Sequence, residues 1–382
     1  MTIDNQNLLA NHPRLDIPAL SGLFKSTTTS YKYLFFLSIL NELKRQQWKP
    51  GQPKIIPLND LAVEMVLLGW YPLKFFNLSF GKSDDVVKII DKLDFSISNE
   101  AITTKQGAKK LRSALQQQGK KNGLYRLLRY VPYRLQSVFF SSQLKGVDDH
   151  KKDDMIADLA QTYFTDKVPL YRHIQSEKQS CIELHSEWYD YLFTEGNINI
   201  VESWAMLEWV KFLQVRNPNT PAIIHKVVPP SKRASLKNQT DFWKTVIDKD
   251  SSFKCIYTGE KLINQPFSLD HFLPWTFVCH DQPWNLCPVN SSANSSKGNR
   301  LPADVYIERF INQQHKALEV SLAEIGLKKW NTFVEPYAID LRLAPELLLD
   351  ESSLFEAYSG VLNPMLALAQ QTGFEKNWKY QN

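Results

Sequence analysis

Residues 268–302 read SLDHFLPWTFVCHDQPWNLCPVNSSANSSKGNRLP, and this stretch decides the expected fold. Its candidate functional residues follow one another in the order Asp270, His271, Asn285, Asn294 and Lys297. Hydrolysis of a phosphodiester needs a base that deprotonates water and a divalent cation that neutralises charge on the phosphate. Histidine suits the base, and the oxygens of Asp and Asn side chains suit Mg²⁺. The stretch therefore indicates a one-metal nuclease site.

Local signals in this stretch predict a strand, a second strand and a helix. Residues 267–271 follow a proline and form a short strand, with the Asp-His pair at its end. Residues 272–278 are apolar and aromatic enough to continue as a strand after a turn at Pro274. Residues 290–297 form a short polar helix that Gly298 ends. The i, i+4 and i+7 spacing places three polar residues on one helix face, namely Asn290, Asn294 and Lys297.

The order of these residues resembles that of the HNH endonucleases, the ββα-metal family. The matching pattern is Asp-His, then Asn within Asn-Leu, then Asn followed three positions later by Lys, and the wording DHFLPW…WNL…NSSK resembles a zinc-free subgroup. By that resemblance His271 is the general base, and Asp270 and Asn294 are the metal ligands. The resemblance also implies that Asn285 fixes the loop and orients the histidine, and that Lys297 lies near the phosphate.

The resemblance extends over residues 253–302, but the chain departs from many HNH proteins at its cysteines. Those proteins often carry two Cys-x-x-Cys knuckles that bind a structural zinc. Here the four knuckle positions hold Cys255, Thr258, Asn290 and Ala293. A second conceivable ligand set, made of Cys279, His280 and Cys287, lacks the close spacing of a knuckle. We therefore do not expect structural zinc.

The expected cofactor is Mg²⁺, or Mn²⁺ in its place, held by Asp270 and Asn294. Without zinc, packing of aromatic side chains is expected to hold the finger together. The candidates for this packing are Phe267, Phe272, Trp275, Phe277 and Trp284.

Each candidate residue also has a purely structural interpretation. Taken alone, Asp270 can cap a turn, His271 can be a core histidine, and each asparagine can be an ordinary turn or helix residue. Only the joint order of the positions favours a metal site. For His280 and Asp281 two interpretations stay open: they shape the loop or contact substrate, or they form a surface turn ahead of Pro283.

Length and composition indicate a folded chain with more than one compact unit. The chain has 382 residues, of which 43% are hydrophobic and 12% aromatic, so it is much longer than a nuclease finger requires. Four cysteines without paired spacing fit a reducing compartment. The N-terminus shows no signal peptide, and the longest apolar block, residues 33–40, is too short to span a bilayer. We expect a cytoplasmic protein without a membrane partner.

Positive charge is concentrated in one region, although the net charge is only +5. Residues 101–147, the basic block, contain no Asp or Glu but many Lys, Arg, Tyr and Gln residues. Such a mixture suits the phosphates and bases of nucleic acid. The predicted contacts are Lys109, Lys110, Arg112, Lys120, Lys121, Arg126, Arg129 and, outside the block, Arg300. Two alternatives stay open: a solvated face that acids elsewhere balance, and a surface for an acidic partner protein.

Periodicity predicts a mainly α fold with an embedded α+β element. Helices are predicted at residues 30–47, 59–68, 84–93, 104–118, 124–139, 202–215, 239–248, 303–324, 328–333 and 353–371. A strand pair is predicted at residues 171–174 and 180–184. Prolines after residue 220 mark a boundary. The predicted organisation is a helical N-terminal domain (1–220), a linker helix with the nuclease finger (221–302) and a helical segment that packs on it (303–382).

Two function classes follow. The first is a Mg²⁺-dependent DNA endonuclease, placed in antiphage defence because free-standing HNH proteins with large helical regions resemble bacterial defence effectors. The second is a DNA-binding or assembly subunit of an RNA-guided or restriction-like complex, in which the finger is a clamp or a partner-activated nickase. Expected partners are duplex DNA or a displaced single strand, with a second copy of the chain or a defence-complex subunit. The sequence has no Gly-x4-Gly-Lys-Ser/Thr motif, so no ATP-driven movement is expected.

Overall fold

The computed structural model describes residues 9–46, 48, 51–95, 104–227 and 235–381. Its contacts divide the chain into two compact units, Met1–Pro218 and Asn219–Asn382, which we call the N-terminal and C-terminal units. The described residues confirm the predicted fold class, because they are mainly helical with one three-stranded and one two-stranded sheet. None of the described helices is long and apolar enough to cross a membrane.

The N-terminal unit consists of helices around a small sheet. Its helices are α1 (Ile17–Ser21), α2 (Tyr31–Arg45), α3 (Leu58–Trp70), α4 (Val86–Asp91), α5 (Lys105–Asn122), α6 (Val131–Arg134), α7 (Lys152–Thr162), α8 (Ser186–Phe193) and α9 (Asn197–Arg216). A short π-helix lies at Tyr71–Phe75, and short 3₁₀ helices lie at Leu124–Leu128, Leu135–Phe140, Asp149–Lys151 and Thr194–Gly196. Its strands are β1 (Lys54–Pro57), β2 (Tyr171–Ser176) and β3 (Gln179–Leu184).

The sheet of the N-terminal unit has the antiparallel order β1-β3-β2. A two-residue turn joins β2 to β3, and both of its residues have positive φ, 49° at Glu177 and 63° at Lys178. This is the backbone twist that a tight hairpin requires. The hairpin was predicted from sequence, whereas β1 was not, because its four residues are too few to show alternation.

Helix α2 forms the centre of the N-terminal unit and packs against α3 and α9. Most of its residues are buried, including Glu42 at 0% exposure. Ion pairs with Arg45 and Arg112 compensate that buried carboxylate. A buried charge is tolerable only with such partners, so Arg112 contributes to the stability of the core.

The basic block differs from the two predicted helices. Helix α5 continues through Gly119 to Asn122, and the chain then breaks at Gly123, whose φ of 82° a glycine adopts without strain. The expected helix at residues 124–139 is instead a succession of short turns around α6. Pro132 lies in the first turn of α6 and has no backbone N–H to donate to a preceding turn, which explains the interruption.

The C-terminal unit surrounds a two-stranded hairpin with helices. Its helices are α10 (Ile223–Val227), α11 (Lys237–Lys249), α12 (Trp275–Val278), α13 (Ser291–Lys297), α14 (Val305–Ile325), α15 (Leu327–Asp340) and α16 (Glu351–Gln371). Short 3₁₀ turns lie at Pro283–Asn285 and Pro345–Leu349. The strands β4 (Ser268–His271) and β5 (Leu286–Val289) pair antiparallel, with His271 opposite Leu286.

The second strand of the finger is not where the sequence predicted it. Residues 272–278 form a bend and α12, and the strand that pairs with β4 is Leu286–Val289. Pro274 precedes α12 with extended backbone, a conformation that the fixed φ of proline allows. An apolar run of this length cannot be assigned to strand or helix by periodicity alone.

One hydrophobic core joins the finger to the helices that follow it. Phe272, the residue after β4, stacks on Phe310 of α14 with ring centroids 4.3 Å apart. The carbonyl of Trp284 accepts a hydrogen bond from Tyr358 of α16 at 2.9 Å, and its indole donates to Asp340 of α15 at 2.5 Å. The C-terminal helices are therefore part of the structure that positions the finger.

Candidate active site

Helix α13 lies against strand β4, and this contact brings the candidate residues together. The helix begins after Asn290, whose side-chain oxygen accepts the backbone N–H of Ser292 at 2.9 Å. Such a cap satisfies an N–H group that has no partner within the helix. Asn290 is thus the cap of the helix, ahead of the face that carries Asn294 and Lys297.

Asp270 lies at the centre of the site and is 3% exposed. Its Oδ2 accepts a hydrogen bond from the hydroxyl of Tyr257 at 2.6 Å, and its Oδ1 accepts one from the ammonium of Lys297 at 3.0 Å. A carboxylate has about four lone-pair positions, so two remain after these bonds. The carboxylate is held in one orientation by a phenol and a cation.

Lys297 is 1% exposed and lies behind the carboxylate of Asp270. Its ammonium also donates to the backbone carbonyl of His271 at 2.7 Å. The sequence placed this lysine near the phosphate of the substrate. That placement stays a prediction, and the structure shows that the ammonium has a buried ionic partner and fixes the Asp-His pair.

The imidazole of His271 is oriented by Asp281. Its Nε2 lies 2.8 Å from Oδ1 of Asp281, and the His271 side chain is 9% exposed. A carboxylate acceptor requires the proton on Nε2, so Nδ1 carries the free lone pair. Within the described part of the chain Nδ1 forms no hydrogen bond, and this nitrogen can accept a proton from water.

Asn285 closes the loop that follows the Asp-His pair. Its side-chain oxygen accepts the backbone N–H of Leu273 at 2.8 Å, and its side-chain nitrogen donates to the carbonyl of Leu273 at 2.9 Å. Its own carbonyl accepts the N–H of Phe272 at 2.9 Å. With 0% exposure, Asn285 acts on the backbone next to His271 and does not face solvent.

Asn294 lies on α13 beside the strand that carries Asp270. Its amide nitrogen donates to the carbonyl of Leu269 at 3.4 Å, a long hydrogen bond. Among the described residues, its amide oxygen accepts no hydrogen bond. Asn294 is partly exposed, so this oxygen is accessible to a ligand.

The environment of the site disfavours charge on the neighbours of Asp270. Burial, followed by the Asp270 charge, raises the pKa of the Tyr257 hydroxyl well above its usual value. The same two effects raise the pKa of the Cys287 thiol. Burial also lowers the pKa of His280, although Asp340 acts in the opposite direction. Tyr257 therefore remains a neutral hydrogen-bond donor to Asp270.

The donor groups present fit a hard divalent cation. Asp270 offers carboxylate oxygen, Asn294 offers an amide oxygen, and Mg²⁺ usually binds few protein oxygens and keeps several waters. Among the described residues no group of three or more His, Cys, Asp or Glu side chains is placed to hold a metal. The candidate site is therefore a two-ligand oxygen site, in which Asp270 is buried and Asn294 is partly exposed.

Hydrogen bonds link three of the four positions that correspond to the zinc knuckles, namely Cys255, Thr258 and Asn290. The thiol of Cys255 accepts the backbone N–H of Asn290 at 3.3 Å and that of Thr258 at 3.5 Å. The side chain of Asn290 also donates to Glu260 at 3.1 Å. These bonds connect the segment of Cys255 and Glu260 with the start of α13 at Asn290.

Tyr257 and Asp281 are the residues that sequence analysis did not assign to the site. Tyr257 lies 13 positions before Asp270, and Asp281 lies ten after His271, in a loop whose path the sequence does not reveal. For Asp281 a signal was present, because it follows His280 in a polar turn between aromatic segments. That signal left a surface turn equally plausible.

The predicted nucleic-acid contacts lie in different environments. Arg112 pairs with Glu42 and Glu64, so it is a structural ion-pair residue and not part of an exposed surface. Arg300 donates to the carbonyls of Ser296 and Lys297 at the end of α13. The contacts that remain exposed are Lys109, Lys110, Lys121, Arg126 and Arg129. The side chain of Lys120 lies outside the described part of the structure.

The hairpin with its Asp-His pair and the helix with Asn and Lys define a ββα-type nuclease site. Residues 255–303 match the sequence model of a family described as HNH endonuclease. This segment is an HNH endonuclease domain, and proteins with this domain bind nucleic acid and use divalent metal ions. No curated protein and no solved structure matched the chain.

Proposed function

We propose that the chain is a Mg²⁺-dependent endonuclease that hydrolyses DNA phosphodiester bonds with His271 as the general base. The observation that carries this proposal is the His271–Asp281 pair beside Asp270 and Asn294. The pair leaves Nδ1 of His271 able to take a proton, and the two oxygen ligands lie on the adjoining strand and helix. Family membership of the segment supports nuclease chemistry in general.

Each residue has a distinct role in the proposed reaction. A cation on Asp270 and Asn294 would neutralise negative charge on the phosphate and on the departing oxygen. His271 takes a proton from water while the water oxygen attacks phosphorus and the bond to the 3′ oxygen breaks. Solvent water then gives the 3′ oxygen its proton. The family resemblance implies a 5′-phosphate and a 3′-hydroxyl as products. Lys297 and Asn285 keep Asp270 and His271 in place.

Nicking of supercoiled plasmid with Mg²⁺ or Mn²⁺ tests this function. We expect the variants His271→Ala and Asn294→Ala to lose nicking by at least about a hundredfold, the order seen when a general base is removed. The matched controls His225→Ala and Asn299→Ala change exposed residues of the same types and should retain activity. Absence of nicking by the unmodified chain with either metal contradicts the proposal.

A second candidate function is a clamp or a partner-activated nickase within a larger complex. The low exposure of Asp270 and the two hydrogen bonds that its carboxylate already accepts favour a site that a partner or substrate must open. In this case His271→Ala leaves binding and assembly intact. Nicking that appears only after addition of a cell extract, and not with the isolated chain, would favour this second candidate.

We further propose a place in antiphage defence, because the combination of an HNH segment with a large helical unit resembles bacterial defence effectors. Expression of the chain should lower the plating efficiency of phage, and His271→Ala should restore plating. Equal protection by the variant contradicts a nuclease-based defence role. One site cuts one strand, so duplex breaks would need a second copy or a second encounter.

A further inference from the structure

A wide cavity in the N-terminal unit lies outside the nuclease site. Its volume is about 970 Å³, and we call it the basic groove. One wall is formed by residues 26–32, and the other by side chains between residues 126 and 152. The volume is at the upper end of the range for ligand pockets. Most of its lining residues carry a hydroxyl or a positive charge, so its polar groups suit an anion.

The basic groove has an excess of positive charge that its own acids do not compensate. Two carboxylates line it, and each already has a cation: Asp85 lies 2.6 Å from Lys88, and Asp149 lies 2.8 Å from Arg134. Three further lining cations form no ion pair within the described part of the chain: Lys32, Arg126 and Arg129. Three unpaired cations along one groove provide positions for more than one phosphate.

The positive charge of Lys32 lies in an unfavourable electrostatic environment. Its ammonium is partly buried, and burial followed by repulsion from Arg134 lowers its pKa. A bound anion would offset both effects, because it supplies the counter-charge that the protein does not. A phosphate beside Lys32, which lines the groove without an ion-pair partner among the described residues, would thus supply the missing counter-charge.

The first residues of α2, Tyr31 and Lys32, also line the cavity. The N–H groups of Tyr31, Lys32 and Tyr33 precede the first acceptor within the helix, and no described group accepts them. The buried carboxylate of Asp84 accepts the N–H of Ser30, which precedes α2, and that of Val86, but none of these three. The side-chain hydroxyls of residues 26–29 line the cavity beside this helix end. Helix N-termini of this kind favour phosphate oxygens.

Aromatic side chains accompany the cations. Tyr130 lines the groove and is 50% exposed, and the guanidinium of Arg129 lies 4.8 Å from its ring centroid. Tyr125, five residues earlier and next to the lining residue Arg126, is 43% exposed. Exposed aromatic rings beside a cationic channel are the features on which bases of a single strand stack. A duplex would hide its bases from these rings.

We propose that the basic groove binds a single strand of nucleic acid, with phosphates at Lys32, Arg126, Arg129 and the N-terminus of α2. The choice of a nucleic-acid strand rests on the proposed nuclease function, whereas the phosphate chemistry does not. The groove is a binding site separate from Asp270 and His271, and it needs no metal. Arg126 and Arg129 are the part of the basic block that carries specific binding.

Fluorescence anisotropy of a labelled oligothymidylate on the full chain in EDTA tests the proposal without cleavage. Reversal of two groove charges, Arg126→Glu with Arg129→Glu, should weaken binding about tenfold or more and lower its salt dependence. The matched control, Lys328→Glu with Lys329→Glu, makes the same change in net charge on exposed residues of α15 that do not line the groove. Equal weakening by the two double variants would show diffuse attraction and overturn the groove as the site.

Two competition experiments test whether the groove prefers a single strand to a duplex or to a free nucleotide. Unlabelled duplex of the same sequence and free ATP should each compete more than about tenfold less well than the single strand. A duplex hides its bases, and ATP has one base and one short phosphate chain in place of bases and phosphates spaced along a strand. Equal competition by duplex or by ATP overturns the single-strand proposal.

Ultraviolet crosslinking of an iodouridine-substituted strand to the unmodified chain provides a test that does not depend on a variant. The crosslinked peptide should contain Tyr125 or Tyr130, and crosslinks only elsewhere in the chain overturn the proposal. Intact strand binding with no nicking under any metal would remove the nuclease function but leave this site in place. The binding and nicking measurements therefore distinguish failure of the nuclease proposal from failure of the groove proposal.

Discussion

The carboxylate of Asp281 fixes the ring of His271, and this bond is testable at the scale of one residue. We expect Asp281→Asn to lower kcat of nicking about ten- to a hundredfold with little change in KM, because the amide no longer secures the Nε2 proton. Asp281→Glu should recover part of the loss. The comparison is made by single-turnover nicking, with the exposed Asp248→Asn as control. A change in KM alone would assign Asp281 to substrate binding.

Lys297 allows a second residue-scale prediction. Replacement by Met removes the partner of the buried Asp270 charge, so we expect a loss of about 3–5 kcal/mol in the free energy of unfolding. Urea unfolding measures this loss, with the exposed Lys244→Met as control. If Lys297 acted mainly on the phosphate, the variant would lose activity while its stability remained that of the unmodified chain.

The candidate site was predicted from sequence where its residues follow a fixed order, and was missed where they do not. Asp270 and Asn294 lie on a strand and a helix and follow the linear order of the family pattern, so that pattern identifies them. Tyr257 and Asp281 reach the site through loops, whose paths depend on the packing of the entire unit. The burial of Lys297 likewise depends on tertiary packing, since a position on a helix does not specify which neighbours cover the side chain.

At the scale of elements, helices were predicted more completely than short strands. A long helix such as α14 shows several turns of periodicity, whereas β1 and β5 have four residues each. The apolar run after β4 was assigned to the wrong element because strand and helix share its composition. The predicted helix ended at residue 118, yet Gly119 lies within α5, where the close approach of Leu124 favours a residue without Cβ.

Gly119 and Gly360 form a matched pair for an element-scale prediction. A Cβ at Gly119 would lie 2.6 Å from Cδ2 of Leu124, so we expect Gly119→Ala to destabilise the fold by about 1–3 kcal/mol despite the better helix propensity of Ala. Gly360 in α16 has open space around its Cα, and Gly360→Ala should stabilise by up to about 1 kcal/mol. Thermal unfolding of both variants measures the difference. Stabilisation by both would mean that Leu124 yields without cost.

For the entire C-terminal unit, the shared core predicts which fragment folds. A fragment of residues 219–382 should fold cooperatively, whereas one of residues 219–302 should not, because it lacks the aromatic partners Phe310 and Tyr358. Near-ultraviolet circular dichroism and thermal unfolding distinguish the outcomes. A cooperative transition in the shorter fragment would show that the finger is stable alone.

Stability of the N-terminal unit should respond to pH through two buried groups with opposite signs. Burial raises the pKa of Asp84 to about 6, so its contribution to stability is lost as pH rises from about 4 to 6. Burial lowers the pKa of His173 to about 4, so its contribution is lost as pH falls from about 6.5 to 4. Each effect amounts to up to about 3 kcal/mol, and in the unmodified chain they largely cancel.

Single variants expose the two pH effects. Relative to the unmodified chain, His173→Phe should make stability fall with rising pH between 4 and 6, and Asp84→Asn should make it rise. Phe preserves the stacking of residue 173 on Tyr133, whose ring centroids are 4.5 Å apart. Urea unfolding at several pH values measures both trends. Parallel pH profiles for the three proteins would contradict the assignment.

The hydrogen bond between Tyr257 and Asp270 has a practical consequence. A cation that binds to Asp270 draws electron density from the same carboxylate that accepts the phenol proton, so the phenol must respond to occupancy. Fluorotyrosine at this position would therefore change its NMR chemical shift when the site fills. Tyr257 thus provides an internal reporter of metal occupancy that works without turnover, substrate or an added dye.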